Sequence, residues 1–393
     1  MRILVLNYEF PPVGGGASKA SFYMAKELVR RGHQIDVLTC RAEGQPEFES
    51  VGGVSVYRVA SRRKSIHEAG FGAAISYLFF ARQKLRQLLS EHAYDFGHIY
   101  FAIPTGLLAF QWRKMTDTPY IVSLRGSDVP NYDLNAKLVN FLHQLLKPVT
   151  RSILRNASSV VSNSESLRQL ALTTFPEQKI ITITNGICSQ DFEPVEMKKP
   201  DKQTITVLCV ARLISRKAVN VILDAIAEVD SPGLRLLVAG AGPKKNALIS
   251  QAKSLMIDDR IEFLGHITGE ELIAVYQQAD FLIHPTLTES FSMTLLEAMS
   301  CGLPVIASDI GGVPELVEHE VNGLLIAPAD VSALAEAIGR LAHSEPLRTQ
   351  ISRLNRKKIL DRFTWLNIVN QYEKHCFLNI LPGASASSNK ISQ

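Results

Sequence analysis

Short, wholly apolar runs alternate with longer stretches of helical period along most of the chain. Residues 2–7 (Arg-Ile-Leu-Val-Leu-Asn) read as a buried strand. A Pro/Gly loop, Phe10-Pro-Pro-Val-Gly-Gly-Gly16, leads into an amphipathic helix over about Ser18–Arg31 that stops at Gly32; Gln34–Thr39 is the next strand. The second half repeats this order. Thr204–Val210 is the strand, Ala211–Lys217 the loop, about Ala218–Val229 the helix, and Leu234–Ala239 the next strand, closed by Gly240-Ala-Gly242-Pro243. Apolar runs this short, separated by amphipathic helices, indicate parallel strands buried on both faces. Further strands are expected near 54–59, 97–101, 119–124, 158–162 and 179–184. In the second half they fall at Arg260–Leu264, Phe281–His284, Pro304–Ser308 and Gly323–Ile326. Thr268-Gly-Glu-Glu271 has the form of a capping box opening a helix that ends near Ala279. The pattern predicts two doubly wound α/β domains in tandem.

The first domain is expected over 1–187 and the second over 204–365. Residues 186–203 are rich in Lys, Glu, Asp and Pro and lack a hydrophobic period, so 188–203 reads as an exposed linker. An amphipathic stretch runs from Pro346 to about Leu378, and 383–393, rich in Ser, Asn and Lys, reads as disordered.

Composition narrows the class. Apolar residues make up 46% of the 393 and charged residues 20%, as in ordinary soluble globular proteins. No apolar run reaches the roughly 18 residues that span a bilayer. Met1–Asn7 is too short an apolar run for a signal peptide. The five cysteines are odd in number and well separated, which argues against disulfides or a zinc site and for the reducing cytoplasm. Residues 1–185 hold 22 Lys/Arg against 14 Asp/Glu, whereas 186–393 hold 20 against 24. A basic first half fits an anionic lipid surface or an anionic acceptor, or simply a solvated face. In the stretch Gly72–Ser90, Tyr77, Phe79 and Phe80 stand beside Arg82, Lys84 and Arg86. Those aromatics fit either core packing or peripheral contact with an anionic membrane.

The candidate chemistry lies where loops leave the carboxyl ends of strands, the place where open α/β sheets bind ligands. Gly14-Gly15-Gly16 precedes a helix and lets backbone N–H groups approach a phosphate, or serves only as a turn. Arg212 and Lys217 place two cations in the equivalent loop of the second half, suited to a diphosphate or simply solvated surface charges. Glu289 and Glu297 stand eight positions apart, the first before a helix and the second inside it, within the apolar run Leu295-Leu296-Glu297-Ala298-Met299. Ser290 or Ser292 can cap that helix. Both carboxylates can accept hydrogen bonds from hydroxyls; alternatively Glu289 is a dipole partner at the helix start and Glu297 a surface glutamate. Asp-x-Asp is absent, which argues against a sugar-diphosphate site organised on a divalent metal.

These residues carry a resemblance. Glu289-x7-Glu297, Glu-Ala-Met-Ser-Cys-Gly-Leu-Pro-Val-Ile-Ala-Ser, Gly-Gly-Val-Pro-Glu and Asn322-Gly323-Leu324 closely resemble the retaining glycosyltransferases of family 4. Pro-Pro-Val-Gly-Gly-Gly, Ala-Arg-Leu-x3-Lys, Gly-Ala-Gly-Pro and Phe263-Leu-Gly-His266 extend the match. The resemblance implies the GT-B architecture, two Rossmann-like domains facing across a cleft, with a C-terminal helix at about 366–380 packing back on the first. It implies metal-independent, retaining transfer of a hexose from a nucleotide-diphosphate sugar, with the leaving phosphate taking the acceptor's proton. By the same resemblance Arg212 and Lys217 hold the diphosphate, Glu297 the ribose, and Glu289 the transferred sugar. Backbone groups near Phe291, Ser292 and Met293 add to the site, as do Gly15 and Gly16, the turn at Gly240 and Gly242, and Ile261–His266 near the base. One departure stands out. Many members carry His-Gly-x-Asp where this chain reads Arg125-Gly126-Ser127-Asp128. Arginine cannot act as a base at neutral pH but can bond a hydroxyl or phosphate; Asp128 then binds acceptor or orients Arg125. The expected acceptor is a glycan or lipid-linked glycan of the cell surface, such as lipopolysaccharide, with no nucleic acid and no cofactor. The expected location is the cytoplasm, at most peripheral on the inner membrane face. Two alternatives stay open: a nucleotide-sugar epimerase, or a silent sugar-nucleotide-binding subunit.

Overall fold

The computed structural model of the chain describes residues 1–63, 71–195, 204–231, 233–378 and 380. The expected tail at 383–393 and the later part of the expected linker lie outside them. The chain forms two compact units, Met1–Gly186 with the segment from Trp365, and Ile187–Thr364.

The first unit runs β1 (Arg2–Leu6), α1 (Gly16–Arg30), β2 (Gln34–Cys40), β3 (Phe48–Val51), β4 (Val54–Val59), α2 (Phe71–Glu91), β5 (Phe96–Tyr100), α3 (Ala109–Met115), β6 (Tyr120–Leu124), α4 (Lys137–Arg155), β7 (Ser159–Ser162), α5 (Glu165–Thr174), β8 (Ile180–Thr182). Among the described residues its sheet has the order β3-β4-β2-β1-β5-β6-β7-β8. All neighbours are parallel except the β3–β4 hairpin. That hairpin closes through Gly52 (φ +59°) and Gly53 (φ +81°). Two consecutive positive φ values match the twist of a hairpin, which glycine accepts without strain. Periodicity does not reveal β3, because Phe48-Glu-Ser-Val51 is exposed or half-buried throughout. The Gly-Gly pair was its one sequence signal.

The second unit runs β9 (Ile205–Val210), α6 (Val219–Glu228), β10 (Leu234–Ala239), α7 (Lys245–Ser254), β11 (Ile261–Gly265), α8 (Gly269–Gln278), β12 (Phe281–His284), α9 (Met293–Ser300), β13 (Val305–Ser308), α10 (Val313–Leu316), β14 (Leu324–Ile326), α11 (Val331–His343), α12 (Glu345–Arg362). Its sheet is parallel, in the order β11-β10-β9-β12-β13-β14. In both sheets the chain winds outward one way, returns, and winds the other way. The reversal falls between β1 and β5 in the first and between β9 and β12 in the second. At such a switch point adjacent loops diverge and leave a crevice.

After α12 the chain returns to the first unit as α13 (Trp365–Tyr372). Its buried residues Trp365, Ile368, Val369 and Tyr372 sit three or four apart and join the core under α1. Trp365 stacks on Tyr23, with 6.5 Å between ring centroids, and Arg31 pairs with Glu373 at 2.7 Å.

Three expectations change. The expected linker at 188–203 is anchored at its start, although most of 188–195 is exposed or half-buried. Ile187 and Phe192 are buried in the second unit, and Phe192 packs edge-on against Tyr276. The Phe192 carbonyl accepts from Ser300 and Arg356, a tether that a polar composition does not announce. Thr268 precedes α8 but makes no side-chain cap bond, so the capping box is not formed. The aromatics of α2 divide: Tyr77 is buried and donates to the Leu38 carbonyl, whereas Phe79 and Phe80 are exposed. Among the described residues no helix is long and apolar enough to cross a membrane, and the cysteines are free thiols.

Candidate active site

The switch point of the second sheet brings the predicted residues together. Lys217 closes the loop after β9, and Glu289 lies in the loop after the neighbouring β12. The Lys217 ammonium meets the Glu289 carboxylate at 2.8 Å, and both side chains are largely buried. His284, the last residue of β12, places Nε2 3.3 Å from the same carboxylate oxygen and 3.2 Å from Ser292 Oγ. Burial by itself opposes ionisation of Glu289, but the Lys217 charge and the His284 contact outweigh it and hold the pKa well below the usual carboxylate range. His284 is driven toward the neutral form, first by burial and then by Lys217, against the pull of Glu289.

Ser292 caps α9, accepting from the Leu295 N–H at 3.2 Å. Phe291, Met293 and the helix behind them are buried, so the start of α9 is fixed from both sides. Glu297 is not a surface residue. It is only 2% exposed, and Tyr276 Oη donates to its Oε2 at 2.8 Å. Burial and the neighbouring carboxylate push the Tyr276 phenol well above its ordinary pKa, which keeps it a donor.

Backbone contacts set these loops. A Cβ on Gly240 (φ +150°) would fall 1.8 Å from the Ala211 carbonyl oxygen, and one on Gly242 2.4 Å from that of Leu213. These glycines let the turn after β10 press against the loop carrying Arg212 and Lys217. Gly311 (φ +56°) does the same for Glu289, since a Cβ there would fall 1.9 Å from the Glu289 carbonyl oxygen. Arg212 and His266 are exposed at the ends of β9 and β11.

In the first unit Gly15 precedes α1, which starts at Gly16 with no side-chain cap. A Cβ on Gly15 would meet nothing within 4 Å. Arg125 follows β6 but is buried. Its Nη1 donates to Asn185 Oδ1 at 2.7 Å, its Nη2 to Tyr372 Oη at 3.3 Å, and its guanidinium lies 4.4 Å from the Tyr100 ring centroid. Of the two roles expected for Asp128, its contacts fit the one that orients Arg125. It is 1% exposed, and its oxygens accept from the N–H groups of Arg125, Gly126 and Ala102 at 2.8–3.0 Å. Burial raises its pKa and those N–H bonds oppose the rise. Asp128 holds the loop in place. Its placement among catalytic residues rested on the motif, and the motif does not show which donors surround a side chain.

Sequence reasoning missed His284 and Tyr276, and gave no role to Gly311, the first glycine of Gly-Gly-Val-Pro-Glu. His284 carried a signal, a polar residue ending an apolar strand five positions before Glu289. Tyr276 carried none, since it belongs to the apolar face of another helix.

Two family models match the chain: Glycosyltransferase Family 4 over residues 14–190 and Glycosyl transferases group 1 over residues 190–358. An uncharacterised glycosyltransferase of Methanocaldococcus jannaschii is 27% identical over 389 residues, covering 94% of this chain and 96% of the relative. A GDP-mannose-dependent alpha-(1-6)-phosphatidylinositol monomannoside mannosyltransferase of Mycobacterium tuberculosis is 25% identical, covering 93% and 95%. The solved structure of sucrose-phosphate synthase from Thermosynechococcus elongatus superposes with a TM-score of 0.82 at 22% identity, covering 95% of this chain and 97% of that one. The fold is that of the GT-B glycosyltransferases, with two Rossmann-like domains. The chain belongs to the group 1 glycosyltransferases of family 4.

Proposed function

We propose that this glycosyltransferase moves a hexose, with retention and without a metal, from a nucleotide-diphosphate sugar to a glycan or lipid-linked acceptor. The observation that carries the reading is the Lys217–Glu289 pair, which joins two neighbouring strand ends at the switch point of the second sheet. A cation there stabilises charge growing on a departing diphosphate, with Arg212 on the same loop as its partner. The carboxylate beside it accepts hydrogen bonds from sugar hydroxyls. Its strongly depressed pKa keeps it an acceptor throughout the neutral range and unsuited to act as a general acid. Glu297, steadied by Tyr276, suits the ribose hydroxyls.

The relatives support a nucleotide-sugar donor, since the mycobacterial enzyme is named as GDP-mannose-dependent and acts on a phosphatidylinositol mannoside. Retention follows if the acceptor attacks on the face the phosphate leaves, with a phosphate oxygen taking its proton. The enzyme would then work in the cytoplasm, on glycans destined for the cell surface.

A panel of labelled nucleotide sugars with a pool of glycan and glycolipid acceptors tests the reading. A product whose new bond keeps the donor's anomeric configuration by NMR supports it; an inverted bond, or an isomerised donor without transfer, overturns it. Lys217→Ala is expected to lower kcat/KM by about 10²–10³-fold, the usual effect of removing one donor from a charge-stabilising site.

A further inference from the structure

The first unit carries an amphipathic surface that the site does not use. Leu134, just before α4, and Leu138, Phe141 and Leu145 within it are each 60–76% exposed. At 3.6 residues per turn, the spacing of the three within the helix confines them to an arc of about 60°. The opposite side of α4, with His143, Thr150 and Leu154, is buried. On the next helix of the same layer, Ile75 and Phe79 are 68% and 72% exposed, and both α2 and α4 pack on the turn Thr105–Leu108. Scattered surface leucines need no explanation, but an aligned stripe of them does.

Charge indicates what covers it. Helices α2, α3 and α4 carry nine Lys/Arg between them and a single carboxylate, Glu91. On α4, Lys137 and Arg155 fall about 40° from Phe141 around the helix, next to the apolar stripe. Arg151 stands a little further round, paired with Glu177 at 2.6 Å. Leu and Phe with cations along one flank suit the boundary between headgroups and acyl chains, where basic stems lie along the apolar surface and their charges reach anionic headgroups. A second copy meeting this face across a two-fold axis would set these cations against themselves.

We propose that α4, with the exposed edge of α2, docks the enzyme on an anionic lipid surface. This docking stands whether or not the assignment of donor and acceptor does. The full chain is sedimented with phosphatidylcholine vesicles, with and without about one-third phosphatidylglycerol. Binding is expected to the anionic vesicles and to weaken with salt. Leu138→Ser/Phe141→Ser is expected to lower partitioning at least tenfold with an unchanged circular dichroism spectrum, as is Lys137→Glu/Arg155→Glu. Met256→Ser, an exposed residue of the second unit, should leave binding intact. Activity on a soluble acceptor should be unaffected by all three. Equal binding to neutral vesicles, unchanged partitioning of the helix variants, or a dimer that the Leu138/Phe141 variant dissolves would each overturn the proposal.

Discussion

Glu297 is a carboxylate inside a helix whose described residues from Leu295 to Ser300 are all buried. Such a group persists only if its oxygens are bonded, and Tyr276 supplies one of the bonds. Glu297→Gln keeps an acceptor for that phenol, so stability should change by no more than about 1 kcal/mol. Donor affinity, measured by calorimetry, should fall at least tenfold if the carboxylate clamps ribose. An unchanged affinity would remove it from the site. A second buried group sets acid sensitivity. His98 bonds Ser123 at 2.8 Å, and burial, then Arg125, push its pKa from 6.5 to about 3. Between those values the unfolded chain binds a proton that the folded chain refuses. His98 therefore costs nothing above the ordinary histidine range, and stability falls as pH drops from there toward the folded pKa, by up to about 1.4 kcal/mol per unit. Urea unfolding at neutral and mildly acid pH should show this loss, and His98→Gln should flatten it.

At the scale of elements, short parallel strands and the loops after them carry the function, and Gly311 shows how tightly those loops are set. Gly311→Ala forces a Cβ against the Glu289 carbonyl at a positive φ. It is expected to lower stability by about 2 kcal/mol or more and to cut activity with it. A purified variant with wild-type melting and turnover would show that the loop has room. The strands were readable because parallel sheets buried on both faces demand continuous apolar runs, and β10 and β12 fall at the predicted residues. Edges and tethers were harder. Phe48–Val51 lacks apolar alternation, and Phe192 is one anchor in a polar segment. The site was readable as residue types at strand ends. Its partners were not: Tyr276 lies 21 positions from Glu297, and Asn185 lies 60 from Arg125. The role of Asp128 stayed open in the sequence for the same reason, because it is set by the N–H groups that fold around it.

Over the whole molecule, the first unit is discontinuous in sequence, and α13 completes it. Tyr372 is 1% exposed and reaches both Ser123 and Arg125, while Trp365 lies against Gly186 and Tyr23. Each large side chain lost from this layer removes roughly 1.5–3 kcal/mol of burial. A chain ending at Thr364 should therefore show a lowered melting transition for the first unit, with that of the second unit kept, in a calorimetric scan. Equal loss of both would mean that the two cores do not melt as separate units. The same connectivity orders events during synthesis. The ribosome releases all of Ile187–Thr364 before Trp365 emerges, so the second unit can close first while the face beneath α1 waits uncovered. A nascent chain stalled in that interval shows apolar surface to chaperones and proteases, and the arrival of one short helix ends its exposure.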